Sequence, residues 1–504
     1  MVSPVLFDPS NSSDEGCCPD ESLFAIYHST QASSATQNFI GALPIELLLA
    51  IFTHLYRSSR RLTHSGETWG LDNPLSSLFP YAPAAVCSMW RSVLSLVPEF
   101  WTRVVIRVDS QRTQSRDIRR YFKWSRNLHL DVIITRHRDE FEGDDKKEKS
   151  NVLKATRELV RHIERCRSIR FNVMYSSSLP SILHHFHQKK APHLQTLKLK
   201  CKVDDGGSPP LKLVHWSFDA PDLRHLYLDA RNFFDVCVDR NNWLKRLSNL
   251  HSLSISRYRH ISKRGIDLYK LLRAIGESPS VECLELKDLH FSRVRPWTAL
   301  NDIILDLVSM NLEDLSGDVF SEIIGFVDSG PVATRISRCA INACRFSLIS
   351  YRVAFHDLSA DQDLMVPLTH WRGRTLSLVN CACFHDDFLR DMMDGGLHDQ
   401  SFACKAAKEL YIVNCMNFSP GLLKTMVLKR RKIARRCLFW THDQETLNWT
   451  FPIVAPITLI SVEGGPVLSK KDRRWFEENL QSFHWDEEVL DSQFEGPGDS
   501  DTDI

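Results

Sequence analysis

Apolar residues recur through most of the chain in two rhythms. Over Ile40–Leu55 they fall at helical spacing: Leu47, Leu48, Ile51, Phe52 and Leu55 make a broad apolar face, and Pro44 sits where a helix tolerates it, in the first turn. Ala84–Ile106 reads the same way, with Val86, Trp90, Val93 and Leu94 on one predicted helical face and Pro98 ending that helix before Phe100 and Trp101. Farther on the rhythm changes to apolar residues at positions 1, 4 and 6 of a short run. Copies fall at Cys166/Ile169/Phe171, Leu194/Leu197/Leu199, Leu223/Leu226/Leu228, Leu250/Leu253/Ile255 and Val281/Leu284/Leu286, with a degenerate copy begun by Leu312 and Leu315. Their starts are 28, 29, 27, 31 and 31 residues apart. Late copies are Leu376 with Leu378, followed by Asn380 and Cys381, and Leu410 with Ile412, followed by Asn414 and Cys415.

Alternation at positions 4 and 6 puts side chains on one face of a short strand. The following twenty or so residues return the chain to the next strand, in places as a helix such as Ile266–Ile275. One such unit cannot bury its own apolar face, so the units must stack. The pattern resembles the leucine-rich repeats in their longer, irregular form. The resemblance holds best over residues 160–316, weakens over 317–370 and partly recovers after 373. It implies an α/β solenoid, its strands lining one concave parallel sheet and its helices the convex side.

The two helical segments resemble the F-box. They carry its shared elements in order: Leu43, Pro44, Glu46, Leu47, Ile51 and Phe52, then Val86, Cys87, Trp90 and Arg91, then Pro98, Phe100 and Trp101. The stretch Leu55–Ala82 is longer than the usual link and reads as a loop insertion. The resemblance implies a binding role: an amphipathic face docks on the Skp-type adaptor of a cullin-RING ubiquitin ligase. The adaptor-binding residues it implies are Leu43, Pro44, Leu47, Leu48, Ile51, Phe52, Val86, Cys87, Trp90 and Arg91. Near the C-terminus, Ile457–Trp485 looks like the closing segment of fungal F-box receptors: a strand, a Gly-Gly-Pro turn and a helix capped by Ser469 with Asp472 three residues on.

The expected organisation is therefore a leader over 1–38, an F-box over 39–104, a repeat body over 105–465, a capping helix over 466–485 and an acidic tail over 486–504. The implied function is that of a non-catalytic substrate receptor. Its partners would be the adaptor, through it cullin and RING subunits, and a protein substrate held by the repeats. Within the repeats Lys198, Lys200, Tyr227, Ser254 and Glu285 are the candidate outward positions. A non-ligase interaction scaffold is the alternative.

Composition adds limits. Of 504 residues, 43% are hydrophobic and 25% charged, ordinary for a globular chain. Lys plus Arg is 63 and Asp plus Glu is 62, a net charge of +1, which argues against a general nucleic-acid binder. That balance averages a basic run, Lys429–Arg436, against the tail, which has eight acidic residues and no basic ones. The run reads as a solvated helix face, with a nuclear-localisation signal or a phosphate-binding patch as alternatives. No transmembrane or secretory pattern is present, so the fourteen cysteines read as reduced thiols in a cytoplasmic or nuclear protein. Nucleotide-binding, hydrolase and metalloprotease motifs are absent, and Cys381, Cys383 and His385 lack a second pair at zinc spacing. Catalytic residues, metals and cofactors are expected to be none. Cys87 is expected to be an inert thiol in a buried helix.

Overall fold

The apolar pairs at positions 4 and 6 of each repeat line up strand against strand. In the computed structural model, Leu197 of one strand sits beside Leu226, Leu226 beside Leu253 and Leu253 beside Leu284, while Leu199, Leu228, Ile255 and Leu286 fill the parallel row two residues on. The structure describes residues 43–61, 79–109, 112–136, 147–206, 217–238, 242–259, 267–278, 280–291, 305–327, 330–393, 403–440 and 454–487.

Three helices come first: α1 (Ile45–Arg61), α2 (Tyr81–Val86) and α3 (Ser88–Ser95). Then follow β1 (Arg103–Arg107), α4 (Ser115–Trp124), β2 (Leu130–Thr135), α5 (Glu148–Val160), β3 (Cys166–Tyr175), α6 (Ile182–His185), β4 (Lys189–Lys190), β5 (Thr196–Val203), β6 (Phe218–Asp219), β7 (His225–Asp229), α7 (Ala230–Phe233), β8 (Ser252–Tyr258), α8 (Leu268–Gly276) and β9 (Cys283–Leu289). The second half holds β10 (Ser309–Glu313), α9 (Gly317–Gly325), β11 (Ala333–Ser337), β12 (Arg352–His356), α10 (Met365–Leu368), β13 (Thr375–Val379), α11 (Asp386–Asp391), β14 (Glu409–Val413), α12 (Pro420–Trp440), β15 (Leu459–Gly465), α13 (Lys470–Asn479) and β16 (Ser482–Glu487). Among the described residues, all strands except the short pair β4 and β6 join one 14-stranded sheet in strict chain order. Every pairing in it is parallel. One continuous apolar core runs along the stack. The fold is mixed α/β on a long parallel sheet.

The structure corrects the sequence reading at several points. The sheet begins at β1 and β2, ahead of the first expected copy. The degenerate copy is shifted: Leu312 pairs with Leu286, so Met310 and Leu312 hold positions 4 and 6, and buried Leu307 holds position 1. Two repeats, β11 and β12, lie where the pattern weakened. There Thr334 and Ser350 occupy buried row positions and hydrogen-bond each other, so a polar pair replaces two apolar residues. The expected capping helix over 466–485 is instead a shorter α13 followed by β16, whose Phe483 and Trp485 extend the rows of Ile460 and Val462. The Ser469 cap is present, its Oγ accepting from the Asp472 N–H at 3.1 Å. The leader and most of the acidic tail lie outside the described residues.

Strands in the second half end alike. Asp314, Arg338, Asp357, Asn380, Asn414 and Gly464 all have left-handed φ, between 50° and 58°. The N–H of Asp314, Arg338, Asp357 and Asn380 each donates to the last carbonyl of the next strand, at 2.9–3.0 Å, and that of Asn414 donates to the Glu463 carbonyl of β15 at 2.8 Å. Asn and Asp tolerate this backbone. Arg338 holds it within a network, its Nε donating to Asp314 Oδ1 at 2.8 Å with Glu313 and Asp357 beside it. At Gly464 a Cβ would collide with Asn414 Oδ1. Gly464→Ala is therefore expected to cost about 1–2 kcal/mol, read as a lower urea midpoint.

A second apolar cluster (Leu48, Phe52, Phe79, Ala84, Val93, Leu94, Phe100, Trp101) binds α1–α3 together. It joins the sheet through aromatic rings. Trp101 stacks on Tyr121 of α4 with centroids 5.4 Å apart and packs on Trp124 at 4.4 Å. The buried Tyr81 hydroxyl donates to the Arg103 carbonyl (2.9 Å) and accepts from the Val105 N–H (2.7 Å). The edge strand β1 is thus covered on its open side.

Inside the sheet body, Asp229 is buried, and burial pushes its carboxyl up to about 6 from the ordinary 3.8. Its Oδ1 accepts from Asn232 Nδ2 at 2.7 Å. A raised folded value means that this group favours folding only in acid, and the contribution is lost as pH rises through the folded value. Asp229→Asn keeps an acceptor and removes the charge. The variant is expected to melt above the wild type near pH ~8 and to converge with it near pH ~4, as checked by melting across pH.

Candidate functional site

Helix α1 has two apolar stripes. The inner one, Leu48 and Phe52, is 1% and 0% exposed and forms part of the cluster beneath. The outer one, Leu47, Ile51 and Leu55 at i, i+4 and i+8, is 51%, 46% and 44% exposed. Three aliphatic side chains in a row on water are unusual for a surface with no partner.

Helices α2 and α3 meet at a corner. Cys87 is extended there, so the single helix expected from Val86 through Leu94 is broken into two. Val86 ends the first at 62% exposed, on a different surface from buried Val93 and Leu94. Cys87 is exposed rather than buried. Its Sγ caps α3 by accepting from the Trp90 N–H at 3.4 Å, which turns the thiol into a helix cap. Trp90 is half-buried and meets Phe52 edge-on at 5.1 Å, tying this corner to α1. Arg91 is half-buried, its Nε donating to the Ala84 carbonyl at 2.9 Å.

Of the ten residues named from the sequence, Pro44, Leu47, Ile51, Val86 and Cys87 are therefore presented to solvent. Leu43, Trp90 and Arg91 are half-buried. Leu48 and Phe52 are core and cannot be direct contacts. Exposed Ile45, Leu55 and Leu96 belong to the same helical unit. Leu55 was visible in the periodicity, whereas nothing in the pattern marked Leu96.

The sheet's other face is turned away from the core rows. A groove of ≈ 510 Å³ crosses β7 to β13, floored by small residues such as Ser252, Ser309, Ala333 and Ala354 and bordered by Tyr227, Glu285, Arg335 and Arg352. Lys198, Lys200, Tyr227 and Glu285 lie half-buried on this face, as expected, but Ser254 is buried. Toward β1 the face becomes basic, with Arg103, Arg170, Lys198 and Lys200. Burial, then the neighbouring Arg60, lowers Arg103 to about 10. Burial, then Lys200 and Arg170, lowers Lys198 to about 8.

The basic run on α12 is divided between structural and surface cations. Arg430 is fully buried among carbonyls, and Arg431 donates to Asn479 Oδ1 at 2.7 Å, leaving Lys429, Lys432 and Arg435 on the surface.

Among the described residues no group of three or more His, Cys, Asp or Glu side chains is placed to hold a metal ion. Cys381 Sγ contacts the Phe355 and Val379 carbonyls at 3.4 Å, and Cys415 Sγ accepts from the Cys381 N–H at 3.3 Å, so these thiols serve the strand ends. Burial pushes Cys166 and Cys404 up to about 12, the opposite of an activated thiol. No described helix is long and apolar enough to cross a membrane.

No protein-family model matches the chain, and no curated protein does. Among solved structures it is similar to the protein in the crystal structure of a TLR13–ssRNA13 complex, at 14% identity and a TM-score of 0.32. The match covers 71% of this chain and 46% of that one, so the chain spans less than half the length of that protein.

Proposed function

We propose that the chain is the substrate receptor of a Skp/cullin/F-box ubiquitin ligase. The α1–α3 unit is the F-box and the sheet body a leucine-rich-repeat-like solenoid that holds a protein substrate. The observation that carries the reading is the outer stripe of α1. Leu47, Ile51 and Leu55 do nothing for the chain's own core, yet they form an aliphatic face with Pro44 at its start, and the ordered motif from Leu43 to Trp101 is what an adaptor groove would receive. Such a receptor contributes no reacting group. It raises the rate by holding a substrate near a ubiquitin-loaded partner.

The test is reconstitution. The full chain is mixed with a Skp-type adaptor, then with cullin and RING subunits, and complexes are resolved by size. A quaternary assembly is the expected result. Absence of adaptor binding overturns the F-box reading. Adaptor binding that excludes cullin replaces it with a non-ligase scaffold.

A further inference from the structure

Among the described cysteines only Cys87 and Cys283 are not buried. Cys166, Cys339 and Cys381 hold Sγ against main-chain carbonyls in the core, and Cys87 caps a helix. Cys283 is placed differently. It is the first residue of β9 and lines the groove that crosses the sheet. Its register partners are Ser252 of β8 and Ser309 of β10, so small side chains flank it on both sides.

The Cys283 Sγ lies 3.5 Å from His251 Nε2, and His251 Nδ1 lies 3.2 Å from Glu282 Oε2. A nucleophile, a base and a carboxylate that orients the base are thus within reach of one another in turn. The main chain fixes their spacing. The His251 N–H donates to the Arg224 carbonyl at 2.9 Å, and the His251 carbonyl accepts from the N–H groups of both Glu282 and Cys283 at 3.0 Å. An ionised carboxylate can only accept, so Glu282 selects the tautomer with the proton on Nδ1. Nε2 is then left with its lone pair facing the thiol. The ring of His225 meets that of His251 edge-on, with centroids 6.3 Å apart.

The same backbone bonds decide which chemistry fits. Acyl transfer needs free N–H donors beside the nucleophile to hold an oxyanion, and the N–H groups of Glu282 and Cys283 are both taken. Addition to an electrophilic carbon needs only the sulfur and a proton acceptor.

We propose that Cys283 is a reactive thiol that captures α,β-unsaturated carbonyl compounds in the groove, with His251 as its base and Glu282 as the positioning residue. As the sulfur bonds to the β-carbon, its proton passes to His251 Nε2 and the C=C π pair moves toward the carbonyl as an enolate. The α-carbon then takes a proton back from the imidazolium. One C–S bond forms, one π bond is lost, and no group is expelled and no oxidant consumed. This reactivity stands without the ligase reading. Its consequence, that an adduct keeps a substrate out of the groove, rests on that reading.

N-ethylmaleimide, itself an α,β-unsaturated carbonyl compound, is the probe. The full chain is treated with limiting reagent near neutral pH, and adducts at each cysteine are followed by peptide mass spectrometry. Cys87 is the internal reference: it is the more exposed thiol, and an N–H rather than a base faces it. On access alone Cys87 would react first. Cys283 is expected to react at least ~10-fold faster than Cys87, well within what a positioned base contributes. His251→Gln, with circular dichroism unchanged, should remove that advantage and leave the Cys87 rate as it was. Glu282→Ala should slow Cys283 several-fold, and Glu282→Gln, which keeps an acceptor for the Nδ1–H, should restore most of the rate. Cys283 reacting no faster than Cys87, or at a rate indifferent to His251→Gln, would overturn the proposal.

Discussion

Arg430→Ala is expected to lower the stability of the C-terminal repeats by about 3–5 kcal/mol, the range for breaking a buried charged partnership. The guanidinium is fully buried and aims its donors at the carbonyls of Met392, Ala403, Cys404, Lys405, Ala407 and Ala455, at 2.9–3.5 Å. One side chain of α12 thus gathers the ends of two return segments. Removing it strands several buried acceptors, each with its own desolvation cost. Burial pulls the group down to about 10, so it remains charged through neutral pH. Arg430→Lys should not rescue, because an ammonium has three donors on a single point and cannot span six oxygens. Urea unfolding followed by tryptophan fluorescence checks the prediction. An unchanged midpoint for Arg430→Ala would show that the cage is dispensable.

The second large effect concerns affinity. Leu47→Asp/Ile51→Asp is expected to weaken adaptor binding at least ~100-fold, about 3 kcal/mol, with the melting temperature unchanged because both side chains face water. Leu48→Asp, one residue along, should instead unfold the helical unit, since a charge would enter the cluster around Phe52 and Trp101. Calorimetric titration beside thermal melting separates the two. If the exposed pair proved neutral for binding while the chain stayed folded, this face would not be the adaptor contact.

How much was legible in the sequence follows from which residues carried the signal. The rows of the sheet could be read wherever leucine or isoleucine filled positions 4 and 6, as in β5, β7, β8 and β9. They could not be read where Thr334 and Ser350 satisfy each other, because a buried hydroxyl pair looks like surface until the partner is known. Met310 hid a register in the same way. For the candidate face, helical periodicity located α1 but did not separate Leu47 and Ile51 from Leu48 and Phe52. All four lie on one wide stripe, and only the position of α3 decides which side is core. Cys87 was misread because its extended backbone breaks a continuous helical pattern with no proline or glycine to announce it. The basic run looked uniform in composition, yet one of its arginines is among the most buried residues of the chain.

Strict chain order has a mechanical consequence. Each strand is held mainly by its two neighbours, so the fold is close to a one-dimensional array. Force applied at the two ends would reach the outer strands first. Pulled in this way, the molecule should lengthen in a series of small steps, one repeat released at a time, and the first rupture should come at whichever end lacks a clamp as firm as Tyr81 and Trp101.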